Sequence, residues 1–153
     1  MTTPDTSTAT KSAPAVSTMI DPRGPRFGAM ITTVVLAVTL VTSSGWLAAA
    51  QAVVFGIGAF AGLRYAPYGM IYRSLVRPRL PKPTELEHEA PPRFAQAVGF
   101  VFITVGAIGY LSGATVLGTV ATALALAAAF LIAAFNYCLG CEMYLLMRRT
   151  ATR

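Results

Sequence analysis

The chain contains two cysteines, Cys138 and Cys141, which lie three residues apart and are followed directly by Glu142. A Cys-x-x-Cys pair is suited to three chemistries: thiol–disulfide exchange, half of a metal site, and sulfur transfer through a persulfide. If the preceding helix continues through the motif, residues three and four apart share one of its faces, and all three side chains are presented together. Two unreactive thiols that pack as small apolar side chains are the structural alternative.

The predicted position of the pair does not favour these chemistries equally. The pair is expected near the C-terminal end of a helix, where the helix dipole and the neighbouring Glu142 both disfavour a thiolate. A tetrahedral metal site would need about two more ligands, which must come from Glu142 or from a second subunit. We take Cys138 and Cys141 as the candidate redox pair, with Glu142 beside it, and we expect cytoplasmic reductants to keep the pair reduced at rest.

The rest of the chain has the composition of a membrane protein. Hydrophobic residues make up 55% of the 153 residues, charged residues make up 12%, and the mean hydropathy is +0.61. A soluble domain of this size cannot bury so much apolar surface. We therefore predict an all-α membrane protein of two tandem helical hairpins. Its four transmembrane helices are expected at about 27–43, 46–63, 94–111 and 114–137, stretches close in length to the thickness of the hydrocarbon layer.

The basic residues predict the orientation of these helices. Of the twelve Lys and Arg residues, three precede the first helix, six lie in or at the end of the loop 64–93, three follow the last helix, and none lies in the two hairpin turns. Positive charge concentrates on the cytoplasmic side of membrane proteins. Both termini and the loop are therefore predicted on the cytoplasmic side of a bacterial-type inner membrane. The net charge of +6 indicates anionic lipid head groups, not nucleic acid, as its counterpart.

The segments outside the predicted helices differ in character. Residues 1–19 are rich in Thr, Ser and Pro and are predicted to be a disordered tail, and residues 150–153 a short C-terminal tail. Tyr68 and Tyr72 begin a basic amphipathic segment, which is predicted to lie on the membrane surface with its tyrosines at the interface. The acidic patch that follows is expected to be a solvated linker, and a metal cluster is the less favoured alternative. It contains Glu85, Glu87, His88 and Glu89.

The chain repeats part of its own sequence. Pro25-Arg26-Phe27, which leads to a Ser-Gly turn at 44–45, recurs as Pro92-Arg93-Phe94, which leads to a Ser-Gly turn at 112–113. Each unit contains two helices, so the two units point the same way, and the predicted pseudo-twofold axis lies along the membrane normal. Glycines four residues apart, at 58 and 62 and at 109 and 113, are predicted to allow close helix packing.

Three segments carry a family resemblance: residues 20–27, residues 90–99, and the Cys-Leu-Gly-Cys-Glu-Met-Tyr segment 138–144. They resemble the bacterial membrane family catalogued as domain of unknown function 4395, over residues 20–149. The family has no established activity. Its genes often lie beside genes for thioredoxin-like proteins and sulfurtransferases, so the resemblance implies thiol or sulfur metabolism by association alone.

These observations lead to one hypothesis and two alternatives. We expect a membrane protein, not an autonomous enzyme and without a cofactor, whose thiols serve cytoplasmic redox or sulfur handling. Its expected partners are the lipid bilayer and a thioredoxin-like protein or sulfurtransferase, and a homo-oligomer is an open alternative. A structural or assembly subunit with inert thiols is the first alternative function. A small-solute permeation pathway is the second, although the predicted helix interiors offer only Gln51, Gln96 and some threonines as polar groups.

Overall fold

The computed structural model describes residues 18–152, and these form a helical bundle with one short antiparallel β-ribbon. The elements in chain order are β1 (Met19–Ile20), α1 (Arg23–Thr42), α2 (Gly45–Gly56), α3 (Pro67–Ile71), β2 (Glu87–His88), α4 (Ala90–Leu111), α5 (Thr115–Phe135) and α6 (Leu139–Ala151). A π-helical turn, Ile57–Ala61, extends α2. A π-helical turn, Tyr72–Val76, and a 3-10 turn, Arg77–Arg79, extend α3.

Three of the helices, α1, α4 and α5, are long and apolar enough to cross a membrane. The remaining predicted helix, the second in chain order, is the shorter apolar helix Gly45–Ala61 formed by α2 and its extension, which at 1.5 Å per residue measures roughly 25 Å. The helical fold and its apolar helices therefore agree with the predicted class of all-α membrane protein.

The first and third predicted helices begin earlier than expected. Helix α1 starts at Arg23, not at 27, and α4 starts at Ala90, not at 94. Prolines lie in the first turn of each helix, where their fixed φ suits the helix and where a missing N–H leaves no hydrogen bond unmade. The basic segment before Phe27 is therefore the first turn of α1.

The most extensive helix contacts are those of α2 with α4, α4 with α5 and α1 with α5, so two of the three join one hairpin to the other. Small side chains dominate the core, which contains five alanines together with Leu36, Phe55 and Ile103. Because lipid provides no hydrophobic drive between helices, close approach through small residues is the main source of packing energy in such a bundle.

The four predicted packing glycines divide into two roles. A Cβ atom on Gly109 would lie 2.5 Å from the backbone nitrogen of Gly118, so α4 and α5 are in backbone contact there. Gly58 likewise faces the side chain of Gln96. Gly62 and Gly113 have φ angles of 106° and 82°, which only glycine adopts readily. They end helical segments and do not pack helices together.

Two arginines, which we call the capping arginines, each bind the end of a helix from the other hairpin. Arg93 donates from Nε and Nη2 to the carbonyl oxygen of Ala59, at 3.3 and 3.0 Å. Arg26 donates from Nε to the carbonyl oxygen of Ala133 at 3.4 Å. The last carbonyls of a helix have no partner inside it, and a cation at this end also interacts favourably with the helix dipole. The arginine of each Pro-Arg-Phe segment therefore joins the two hairpins.

The phenylalanine of each segment makes an aromatic pair with a tyrosine. Phe27 and Tyr72 have ring centroids 5.8 Å apart and planes at 45°. Phe94 and Tyr144 have centroids 5.9 Å apart and planes at 46°. Each pair attaches a short helix, α3 or α6, to the start of the long helix of its own hairpin.

The loop between α2 and α4 is more ordered than predicted. Its amphipathic segment is helical, but the tyrosines face the protein: Tyr72 is buried, and Tyr68 donates from its hydroxyl to Oε1 of Gln51 at 2.7 Å. Both tyrosines therefore find hydrogen-bond partners inside the protein, and the predicted position of their segment at the membrane interface stays a prediction.

The acidic patch was predicted to be a solvated linker, and the structure agrees in part: Glu85, Glu87 and His88 are exposed, but part of the patch is ordered. Glu87 and His88 form β2, which pairs with β1, with Met19 opposite His88. The Glu89 carboxylate accepts a hydrogen bond from the backbone nitrogen of Leu63 at 2.8 Å. Of the predicted disordered tail, residues 1–17 lie outside the described residues, and Met19 lies in β1.

Replacing Asp21 by Asn tests the contact between β1, α1 and α3. Asp21 accepts hydrogen bonds from Arg23 and from the Tyr72 hydroxyl. Burial raises the pKa of Asp21, but these hydrogen bonds outweigh it, and the pKa lies below its usual 3.8. The stabilisation is therefore present above pH 3.8 and is lost as the pH falls through the lower folded-state value. We expect Asp21→Asn to cost about 1–3 kcal/mol at pH 7, as measured by thermal unfolding.

The pH dependence provides the control for this prediction. The difference in stability between the original protein and Asp21→Asn should shrink as the pH is lowered below about 4, because the carboxyl group then becomes neutral in both states of the original protein. A difference that is the same at pH 7 and at acidic pH would show that the charge of Asp21 does not matter.

Candidate functional site

The cysteine motif lies at a break between two helices. Helix α5 ends at Phe135, and Asn136 adopts a left-handed conformation with a φ of 55°. The backbone nitrogens of Asn136 and Tyr137 donate to carbonyl oxygens in the last turn of α5. This is a common way to end a helix, and Asn is among the few residues that tolerate it. The chain then turns and begins α6.

The pair therefore lies at a helix N-terminus, not at the C-terminus that the sequence predicted. Cys138 is the N-cap of α6, in an extended conformation, and its Sγ accepts a hydrogen bond from the backbone nitrogen of Cys141 at 3.2 Å. The positive end of the helix dipole now faces Cys138 and favours a negative charge on its sulfur. The predicted destabilisation of a thiolate by the helix dipole is therefore wrong, because α5 ends before the motif and a new helix begins at it.

The two cysteines are bonded to each other as a disulfide, with Cα atoms 5.2 Å apart. Protein disulfides commonly have this Cα separation. Both cysteines are half-buried. The structure thus contains the oxidised form of the pair, and the reduced resting state expected in the cytoplasm stays a prediction.

Glu142, the third predicted site residue, is exposed in the first turn of α6. A carboxylate there interacts favourably with the positive end of the helix dipole. Arg148 and Arg149 occupy the last turn, where cations are favourable. The charges of this short helix therefore follow its own direction, and they are a signal in the sequence that a new helix starts at the cysteines.

Gly140 fixes the start of α6 on the side of α4. A Cβ atom at Gly140 would lie 2.8 Å from both the Cα and the Cβ of Ala95. Because this short contact is with the backbone of α4, a larger residue at position 140 could fit only if α6 moved. Gly140 thereby holds both cysteines against the beginning of α4.

Beside the cysteines lies a cavity of about 380 Å³, which we call the thiol cavity. Helices α1, α4 and α5 form most of its wall, and Cys138 and Cys141 line its edge. Most of the wall is apolar, from residues such as Phe55, Phe102 and Ala128. The polar side chains in the lining are Arg26, Thr32, Glu87, Gln96 and Asn136. The sequence did not reveal this cavity, because it depends on how three distant helices pack.

A second cavity, of about 600 Å³, lies beside α3 in the first hairpin. Ala66 and Gly69 line it and occupy the positions relative to α3 that the cysteines occupy relative to α6. Three arginines also line this cavity: Arg64, Arg73 and Arg77. Only the cavity of the second hairpin therefore has thiols at its edge.

The structure also bears on the metal alternative. Among residues 18–152, no group of three or more His, Cys, Asp and Glu side chains is close enough to hold a metal ion. The two cysteines are bonded to each other, and Glu142 and His88 are not brought to them as further ligands.

No curated protein and no solved structure matches the chain. A sequence model of one protein family matches residues 20–149. The resemblance noted in the sequence covers the same range. The chain belongs to the family described as domain of unknown function (DUF4395).

Proposed function

We propose that this protein is a membrane-bound partner in thiol–disulfide exchange, in which Cys138 and Cys141 pass electrons to or from a soluble thioredoxin-like protein or a sulfurtransferase. The observation that carries the proposal is the position of Cys138 as the N-cap of α6, with its sulfur accepting a hydrogen bond from the first turn. A disulfide used only for packing does not need a sulfur at the positive end of a helix.

The chemistry follows from this position. A thiolate of the reduced partner attacks Sγ of Cys138, a mixed disulfide forms, and Cys141 leaves as a thiolate that takes up a proton. The second thiol of the partner then loses its proton and attacks its own sulfur in the mixed disulfide, so that Cys138 leaves as a thiolate. The partner ends as a disulfide and this protein as a dithiol, and the same steps run in reverse. Because the α6 N-terminus stabilises negative charge on Cys138, Cys138 is the sulfur that exchanges.

The proposal includes four membrane helices, with both termini and the loop on the cytoplasmic side of a bacterial inner membrane. Both capping arginines and the cysteine motif lie at one end of the bundle, where α1 and α4 begin. This arrangement supports the orientation. A cluster of positive charge at one end of a bundle is typical of its cytoplasmic side. In this orientation a soluble cytoplasmic protein can reach the pair.

We further propose that the two hairpins are copies related by a twofold axis along the membrane normal. The two capping arginines and the two Phe–Tyr pairs occupy equivalent positions in the copies. Ile20 and Glu87, which lie equally far before Phe27 and Phe94, are paired with each other in the β-ribbon, as expected for residues beside such an axis. In this view Cys138 and Cys141 were acquired by one copy, at the positions of Ala66 and Gly69.

Labelling from each side of the membrane tests this proposal. After mild reduction, Cys138 and Cys141 should react with a membrane-impermeant thiol reagent from the cytoplasmic face alone. A single cysteine introduced at Ser44, in a variant without the native pair, should react from the opposite face. Native thiols that resist the reagent on both sides would favour the structural subunit with inert thiols. Labelling from the outer face would mean that the topology is opposite to the proposed one.

A further inference from the structure

We infer that the thiol cavity binds a lipid-soluble quinone, and that Cys138 and Cys141 exchange two electrons with it. The inference rests on the proposed function and names the second redox partner of the same pair. A membrane protein that takes electrons from a soluble dithiol must pass them on before it can react again. The residues that line the thiol cavity indicate which kind of molecule receives these electrons.

The thiol cavity has the size and the apolar lining of a small-molecule site. Its volume of about 380 Å³ lies within the range of roughly 300–1,000 Å³ that small-molecule sites occupy. Phe102 and Leu124 line it and are 38% and 53% exposed. A cavity whose apolar lining is exposed in this way is open at the side of the bundle, and in the proposed membrane orientation an apolar ligand can enter it from the bilayer.

Polar donors also line the thiol cavity. Arg26 is exposed and donates from Nε to the carbonyl oxygen of Ala133, and its two Nη groups make no other hydrogen bond to residues 18–152. The side-chain amide of Gln96, which is half-buried and also lines the second cavity, makes none to these residues. An acyl chain offers nothing to such donors, whereas a quinone has two carbonyl oxygens that accept hydrogen bonds.

The chemistry of the cysteine pair also matches a quinone. Reduced Cys138 and Cys141 together can give up two electrons and two protons, and a quinone takes up two of each. One cysteine thiolate adds to a ring carbon and forms a C–S bond. The other sulfur attacks the first, the S–S bond forms, and the electron pair of the C–S bond passes to the ring. The two thiol protons end on the two ring oxygens, so a disulfide and a hydroquinone are produced.

Anaerobic mixing tests the inference directly. The reduced protein, in nanodiscs of quinone-free phospholipid, is mixed with a short-chain benzoquinone, and the quinone absorbance is followed. We expect one quinone to be reduced per chain. Ala128→Phe, which fills the cavity, should slow this reduction at least tenfold, whereas Ala127→Phe, on the exposed face of the same helix, should react at the original rate. Ala127→Phe should also exchange normally with dithiothreitol.

A milder variant keeps the inference testable if Ala128→Phe does not fold. Gln96→Leu removes one donor without adding volume, and loss of one hydrogen bond should raise the half-saturating quinone concentration about three- to tenfold. Equal rates in all variants would mean that quinone reacts with the thiols from solution, and this would overturn the inference. Normal dithiothreitol exchange without quinone reduction would leave an acyl chain as the occupant and would also overturn it. Failure of both reactions would refute the proposed function itself.

Discussion

Cells that produce the Cys141→Ser variant should accumulate a covalent complex between this protein and its soluble partner. Cys138 would still form a mixed disulfide, because the N-terminus of α6 stabilises its thiolate in the variant as well. The second thiol that releases the partner from this side is absent, so the complex should persist. A non-reducing gel followed by mass spectrometry of the captured protein measures the effect, and we expect a thioredoxin-like protein or a sulfurtransferase.

Cys138→Ser is the matched control for this experiment. It retains the sulfur of Cys141, which lies inside the first turn and is not the N-cap, so it should capture little or no partner. Serine is itself a good N-cap, and both variants should therefore reach the abundance of the original protein. Equal capture by the two variants would contradict the assignment of Cys138 as the exchanging sulfur. Loss of abundance in both, without capture, would favour inert packing cysteines.

Replacing Gly140 by Ala should destabilise the protein strongly for so small a change. The added Cβ would lie 2.8 Å from the Cα and Cβ of Ala95, and α6 would have to move away from α4. Overpacking of this kind typically costs about 1–3 kcal/mol, more than the roughly 1 kcal/mol that Ala gains over Gly as a helix former. We expect a lower midpoint of thermal unfolding in detergent and a faster reduction of the disulfide by dithiothreitol.

Gly28→Ala is the control, because Gly28 occupies the corresponding contact in the first hairpin. A Cβ atom there would lie 3.7 Å from the Cβ of Tyr68, an ordinary van der Waals distance. The variant should therefore keep its stability or gain up to about 1 kcal/mol from helix propensity. If Gly140→Ala were as stable as Gly28→Ala, the close contact between α6 and α4 would not exist in solution.

The sequence predicted the long helices well, because each is a nearly continuous apolar stretch between polar turns. It did not predict the break at Asn136, since α5 remains apolar up to Phe135 and the aromatic Tyr137 follows. One left-handed residue separates the two helices, and this reverses the electrostatic environment of Cys138. The available signal was the order of charges in α6, with Glu142 near its start and Arg148 and Arg149 near its end.

Other features depend on contacts between residues far apart in the chain. The β-ribbon joins Met19–Ile20 to Glu87–His88, and two residues per strand are too few for an alternating pattern. The thiol cavity is formed by the way in which α1, α4 and α5 pack together. This packing depends on close contacts such as that between Gly109 and Gly118. The repeated Pro-Arg-Phe segments were recognised from the sequence, but their capping and aromatic contacts became clear only in the fold.

The central claim is that Cys138 and Cys141 form a reversible disulfide, and a redox titration of the purified protein tests it most directly. The protein is equilibrated with mixtures of oxidised and reduced dithiothreitol or glutathione, and the free thiols are then counted by alkylation. We predict a single two-electron transition between dithiol and disulfide, with a midpoint above about −300 mV, in the range of exchange proteins and not of structural disulfides. Two thiols that stay free in the most oxidising mixture, or a disulfide that survives the most reducing one, would contradict the proposed function.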